Sequence, residues 1–199
     1  MARNPSLFSR KYGQLNSKPV FYFASEGEKT ELQYLENLQQ FYTEVVFKTI
    51  PLSHRDPKNL LLAMKRFITK GTYRNEDFLL IFVDRDNWEE IDLKRLWEWE
   101  RESPENRMVL FSNPCFELWL LRHYCSGSGA TDAGICHQQL IRHNPQLDKK
   151  AVPPNTFCRE QVLRACGHAK TANTQNWKAR GFTNIYRLIE ILEKKNSLS

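Results

Sequence analysis

Apolar positions in the first two thirds of the chain fall into two alternating kinds of segment. Val20–Ala24 after Pro19, Val45–Ile50 before Pro51, Leu79–Val83 and Arg107–Phe111 are short, nearly unbroken apolar runs. Such runs predict strands, and the unbroken one at Leu79–Val83 suits a parallel sheet covered on both faces. Between the runs the spacing becomes helical, with Leu32, Leu35 and Leu38 inside Glu28–Phe41. "DPKNLLLAMKRFITKG" offers Asp56 as N-cap, Pro57 at the first helical position and Gly71 as a stop. Asp92–Arg101 predicts a third helix, and "SNPCFELWLLRHY", opened by Asn113 and Pro114, a fourth.

The order βαβαβαβα predicts an α/β fold with a four-stranded, mainly parallel sheet between helices over residues 19–125. After Tyr124 the pattern changes. "CSGSGATDAG" reads as a small-residue loop, Ala133–His143 as a short helix, and "NPQLDKKAVPPN" as a polar connection. Two further helices are expected at about 157–169 and 178–194, making 126–199 a helical C-terminal part packed on the core. Residues 1–18 read as a flexible basic arm.

With 199 residues, 41% hydrophobic and 12% aromatic, the chain can hold one sizeable core. No stretch reaches the ~18 to 20 uncharged apolar residues that span a bilayer, and the polar start carries no apolar signal core. The expected location is cytoplasmic, with no membrane partner. The five cysteines form no CxxC pair, which predicts reduced thiols. His123, His137, His143 and His168 fit no common zinc spacing. Neither GxGxxG nor GxxxxGK followed by Ser or Thr occurs, so the usual dinucleotide and ATP loops are missing.

The net charge of +6 hides a segregation. Glu76–Glu105 carries eleven acids against four Lys or Arg, whereas Leu140 to the end carries four acids against eleven bases. One region suits cations, the other an anionic polymer.

The acids that stand out are at strand ends. In "FYFASEGEKTEL" the first strand runs into Glu26, Glu28 and Glu31, and "FLLIFVDRD" ends on Asp84-Arg85-Asp86. Ser25 and Glu28 have the spacing of a capping box, which explains Glu28 but not Glu26. Ligand sites of parallel α/β sheets lie beyond the carboxyl ends of the strands, the rim shared by Glu26, Asp84 and Asp86. On an extended chain Asp84 and Asp86 project the same way, with α-carbons about 6.6 Å apart. Carboxylates converging there would repel by roughly 4 kcal/mol per pair at ~4 Å in a dielectric near 20. A divalent cation relieves that repulsion, and oxygen ligands suit Mg2+ or Mn2+.

"ASEGEKTE" followed by "FLLIFVDRD" resembles the TOPRIM fold of topoisomerases, primases and OLD-type nucleases. "EGEKTE" with "SNPCFELWLLRHY" further resembles the RloB family, small TOPRIM-like proteins associated with restriction-modification and abortive-infection loci. The resemblance covers roughly residues 18–190. It implies a metal-dependent nuclease acting on DNA or RNA in anti-phage defence, with Glu26, Asp84 and Asp86 binding catalytic metal. It leaves room for a separate ATPase of the same locus and for self-association into a homo-oligomer. OLD-type nucleases carry a second glutamate four residues after the first; Glu31 lies five after Glu26 and is preferred to Glu28 as a further ligand. The same family uses a lysine after the acidic motifs, which makes Lys170 in "GHAKT" the candidate for a catalytic cation.

Glu117 sits in an almost wholly apolar helix, so it needs either an arginine partner, such as Arg122 or Arg164, or a place beside the metal. His123 in the same segment reads as a packed histidine. Arg85, Arg159, Arg164, Lys178 and Arg180 could grip a phosphate backbone, with Trp177 stacking on a base. Two other readings stand beside the nuclease: a degenerate TOPRIM domain that binds nucleic acid or an ATPase without metal, and a DxD-dependent nucleotidyl- or glycosyltransferase. The transferase would have no need of Glu26.

Overall fold

In the computed structural model, residues 17–27, 29–85, 88–148, 151–172 and 176–197 are described. Most of the expected basic arm, Glu28 and Asp86 lie outside them. The strands are β1 (Val20–Ser25), β2 (Val46–Thr49), β3 (Phe78–Asp84), β4 (Arg107–Asn113) and β5 (Phe182–Thr183). They form one sheet in the order β2-β1-β3-β4-β5, parallel except for β5. The helices are α1 (Thr30–Gln39), α2 (Pro57–Thr69), α3 (Glu90–Arg101), α4 (Phe116–Arg122), α5 (Ala133–His143), α6 (Arg159–Ala172) and α7 (Tyr186–Asn196).

The twofold period of the strands divides the apolar side chains between two layers. Phe21, Phe23, Leu80, Phe82, Met108 and Leu110 face a core shared with α1, α4, α6 and α7. Ala24, Leu79, Ile81, Val83, Val109 and Phe111 face a second core made with α2 and α3. Every residue of Leu79–Val83 is therefore buried, as the unbroken apolar run requires. Asp56 caps α2 by accepting from the Asn59 N–H at 3.0 Å, and Gly71 follows with φ of 63°. Asp77 ties the start of β1 to the start of β3 by accepting from the Val20 N–H, and it also accepts from the Arg74 guanidinium.

Two local expectations need correction. The sheet has five strands, because a segment expected to be helical opens with the two-residue β5. Two residues are too few to show a period, and what holds them is tertiary. Ser112 and Thr183 exchange a hydroxyl hydrogen bond at 3.1 Å, and the Asn184 amide accepts from the Phe111 N–H and donates to the Val109 carbonyl. The helix start expected from Ser25 and Glu28 differs as well, and Glu28 itself lies outside the described residues. The α1 helix begins at Thr30 with Lys29 at the N-cap position and no side-chain cap, and the Ser25 hydroxyl donates instead to the Gly27 carbonyl at 2.7 Å. Among the described residues no helix is long and apolar enough to cross a membrane.

Candidate active site

Strands β1 and β3 are parallel neighbours with Ser25 opposite Phe82, so their next residues leave the sheet side by side. The Glu26 N–H donates to the Phe82 carbonyl at 3.3 Å, and the Asp84 N–H donates to Glu26 Oε2 at 3.4 Å. The first turn of α1 adds Glu31 and the first turn of α4 adds Glu117. Together Glu26, Glu31, Asp84 and Glu117 line one cavity of about 400 Å3 at the carboxyl rim of the sheet. These residues are 58 and 86 positions apart at the extremes of β1–β3 and α1–α4, so only the fold unites them.

The cavity is electrostatically unsatisfied. Glu31 is 4% exposed, and its Oε1 accepts from the Gly27 N–H at 3.2 Å while its Oε2 is buried with no hydrogen-bond partner. Burial raises the pKa of Glu31, Glu117 adds to the rise, and the Gly27 N–H and Arg55 oppose it. Asp84 is held well above the usual carboxylate range, first by burial and then by repulsion from Glu31, Glu117 and Glu26, against one hydrogen bond from the Phe116 N–H. Both oxygens of Glu26 accept from the Trp88 indole Nε1, at 3.0 and 3.2 Å. Gly27 leaves room for the Glu31 carboxylate: a β-carbon there would stand 1.9 Å from Glu31 Oε2 and 2.4 Å from its Oε1, so the carboxylate would have to swing away.

Four carboxylates, one with a buried oxygen left without a partner, form the hard-oxygen donor set that Mg2+ or Mn2+ prefers. The residues fit such an ion. Among the described residues no three of these side chains already stand in ligating arrangement, so binding would draw the carboxylates inward. Asp86, the second acid of DxD, lies outside the described residues. The arginine partners considered for Glu117 are engaged elsewhere or distant in role: Arg122 donates to the Gly181 carbonyl, and Arg164 is exposed on α6.

His137 is a cavity residue that spacing alone did not single out. It lines the same cavity from α5, with Nε2 3.2 Å from Asp148 Oδ1 and Nδ1 buried without a partner. The four histidines do not converge. His123 is fully buried between Tyr34 and Trp119 and pushed down to about 3 by desolvation, a neutral packed ring. His143 stacks on Tyr124, and His168 faces the Arg122 carbonyl.

A second, basic cavity of about 610 Å3 adjoins the acidic one through Ala133. It gathers Arg85, Lys178 and Arg180 beside Trp88 and Asn113. Arg85 is fixed by its backbone N–H, shared between the Ser112 and Pro114 carbonyls, and by Nη1 donating to Trp88 O. Lys178 pairs with Glu90 at 2.7 Å and lies over the Trp177 ring. That indole packs edge-on against Phe111, centroids 5.8 Å apart, at the margin of the core. The other cations are not brought here. Lys170 pairs with Glu190 at 2.6 Å and lies over Tyr186, Arg159 is tied to Glu193, and none of Lys170, Arg159 and Arg164 lines either cavity.

No curated protein and no solved structure matches the chain. One family model does, that of the RloB-like proteins, and it spans residues 21–192, from β1 into α7 and so across both cavities. On that match the chain belongs to the RloB-like protein family.

Proposed function

We propose that this RloB-like protein is a divalent-metal-dependent nuclease of TOPRIM type that hydrolyses phosphodiester bonds of DNA or RNA. The observation that carries the reading is the convergence of Glu26, Glu31, Asp84 and Glu117 on one cavity with Glu31 Oε2 buried and unpartnered. Four acids at one rim, two of them with raised pKa, are costly in a protein that has no cation to put there.

Mg2+ or Mn2+ at this rim would activate water and stabilise the leaving oxygen. Glu26 and Asp84 would hold it, with Asp86 as the second acid of the motif, while Glu31 and Glu117 complete or orient the shell. Trp88 orients Glu26 by its bond to both oxygens. Arg85, Lys178 and Arg180, one cavity away, supply positive charge along which a phosphate backbone can lie. Lys170 pairs with Glu190 and lines neither cavity, so this proposal gives it no role.

A panel of duplex DNA, single strands and total tRNA with Mg2+ or Mn2+ tests the reading, comparing wild type with Glu26→Ala and with Asp84→Ala. Cleavage by the wild type that both variants lose supports it; equal cleavage by all three removes it. A part in phage defence, beside a separate ATPase, belongs to the same proposal and predicts that Asp84→Ala abolishes protection of a phage-challenged host.

A further inference from the structure

Away from the acidic rim a third cavity, of about 400 Å3, opens beside α6 and the small-residue loop that follows α4. Its floor is Arg122, which is only 2% exposed. The hydrogen bond its guanidinium makes to the described residues runs from Nη2 to the Gly181 carbonyl at 2.8 Å, and Nε is buried with no partner. No described carboxylate forms an ion pair with it, and the ionisable groups felt by its charge are the thiols of Cys125 and Cys136. A buried guanidinium without an anion is among the least favourable arrangements a core can hold.

The rest of the lining mixes glycines and alanines with groups that suit an anion. Ser126, Ser128, Thr131, His168 and Thr171 surround the opening with polar side chains, and Arg180 adds a second guanidinium. Gly127, with φ of 63°, lets the loop backbone close over Arg122; a β-carbon there would come within 3.5 Å of the guanidinium carbon and 3.3 Å of Leu118. Thr131 and Arg180 also line the basic cavity, so the pocket continues the cationic surface that begins at Arg85.

We infer that the Arg122 pocket is a binding site for a phosphate-bearing nucleotide, its phosphate taken by the Arg122 and Arg180 guanidinium groups. The volume is that of a small-ligand site, and paired guanidinium groups match phosphate geometry. The phosphate could belong to a free nucleotide or to a nucleotide of a bound strand. Only the second source rests on the nuclease reading, in which the strand would pass from this pocket along Arg180 and Arg85 to the acidic rim.

The test is binding by the full chain in EDTA, so that no cleavage occurs, with inorganic phosphate, AMP and a 5′-phosphorylated single-stranded octamer as probes. The proteins are wild type, Arg122→Lys, Thr171→Trp and Asp84→Ala. Thr171→Trp fills the mouth from the exposed face of α6 and leaves the Arg122 to Gly181 bond in place, which covers the case where Arg122→Lys does not fold. Wild type and Asp84→Ala should bind AMP alike, and Thr171→Trp should bind it at least about tenfold more weakly, the loss expected when charge-assisted contacts are denied. Octamer binding that falls in parallel makes a strand the source, and octamer binding that is unchanged makes it a free nucleotide; both support the site. Failure of all three probes to bind the wild type, or their undiminished binding to Thr171→Trp, overturns it. Loss of the nuclease reading in the cleavage panel would leave the AMP result standing.

Discussion

The indole of Trp88 donates its single N–H to both carboxylate oxygens of Glu26, at 3.0 and 3.2 Å. Residues that hold a ligand in place commonly contribute 10- to 100-fold to metal affinity. Trp88→Phe, which keeps the ring and removes the donor, should therefore weaken Mn2+ binding by about that factor in a titration. Tighter Mn2+ binding by the variant would mean that the indole competes with the metal for Glu26, and would favour the reading of the chain as a metal-free binding module.

The raised pKa of Asp84 has a definite sign in stability. A carboxyl whose folded pKa exceeds its unfolded value, about 3.9, contributes nothing adverse below that value, where it is neutral in both states. As pH rises toward the folded pKa the unfolded chain loses its proton first and stability falls. Asp84→Asn should thus melt several degrees above wild type at pH 7 to 8 in EDTA, each 1 kcal/mol being about 2–4 °C for a chain of this size. The gain should vanish near pH 3.5, and Mn2+ should raise the melting temperature of wild type but not of the variant. A gain that persists at low pH would refute this origin.

Gly27 and Glu31 form a second exacting pair. The glycine does not need a positive φ, so Gly27→Ala should fold, yet its β-carbon would occupy the space of the Glu31 carboxylate. The expected outcome is a native circular dichroism spectrum with Mn2+ affinity at least about tenfold lower, the scale of an outer-shell disturbance.

His137 lines the acidic cavity with Nε2 3.2 Å from Asp148 Oδ1 and Nδ1 buried without a partner, and a proton on Nε2 leaves the Nδ1 lone pair free. That is the arrangement of a ligating imidazole oriented by a carboxylate. Pulsed electron paramagnetic resonance of the Mn2+ complex should show coupling to nitrogen that His137→Ala removes. A wild-type spectrum free of nitrogen coupling would restrict the coordination to oxygen.

Lys170 and Arg180 separate two accounts of the cationic residues. The Lys170–Glu190 pair is exposed, and pairs of that kind contribute about 0–1 kcal/mol. Lys170→Ala should leave cleavage within about twofold of wild type, because its loss touches neither cavity. Arg180→Ala should weaken strand binding and lower the salt slope by about one unit, the mark of a lost phosphate contact. A large loss of cleavage in Lys170→Ala would restore it to the catalytic machinery.

The elements with strong periodicity were legible from the chain alone. The span of β3 follows from five consecutive apolar residues, α2 from Asp56, Pro57 and Gly71, and α5 is found at Ala133–His143 as its pattern predicts. The start of α1 was not, because Ser25 and Glu28 match a cap by spacing while the chain beyond β1 first bends so that the Ser25 hydroxyl meets the Gly27 carbonyl. A short polar side chain has several backbone partners within reach, and local sequence does not rank them.

Within the site the same division holds. Glu26 and Asp84 could be singled out because strands in a parallel sheet end on one rim, a consequence of chain direction that sequence order already contains. Trp88, His137 and Arg122 could not, since an indole, an imidazole and a guanidinium in ordinary helical or loop context carry no periodic mark of what they face. What the sequence determined by itself was the alternation of buried strands and amphipathic helices and the signs of charge along it, because these are set by neighbours a few residues away. What only the tertiary structure decided was the short fifth strand, the choice of cations beside the acids and the pocket over Arg122, because those depend on contacts between segments tens of residues apart whose distance is fixed only when the whole core packs.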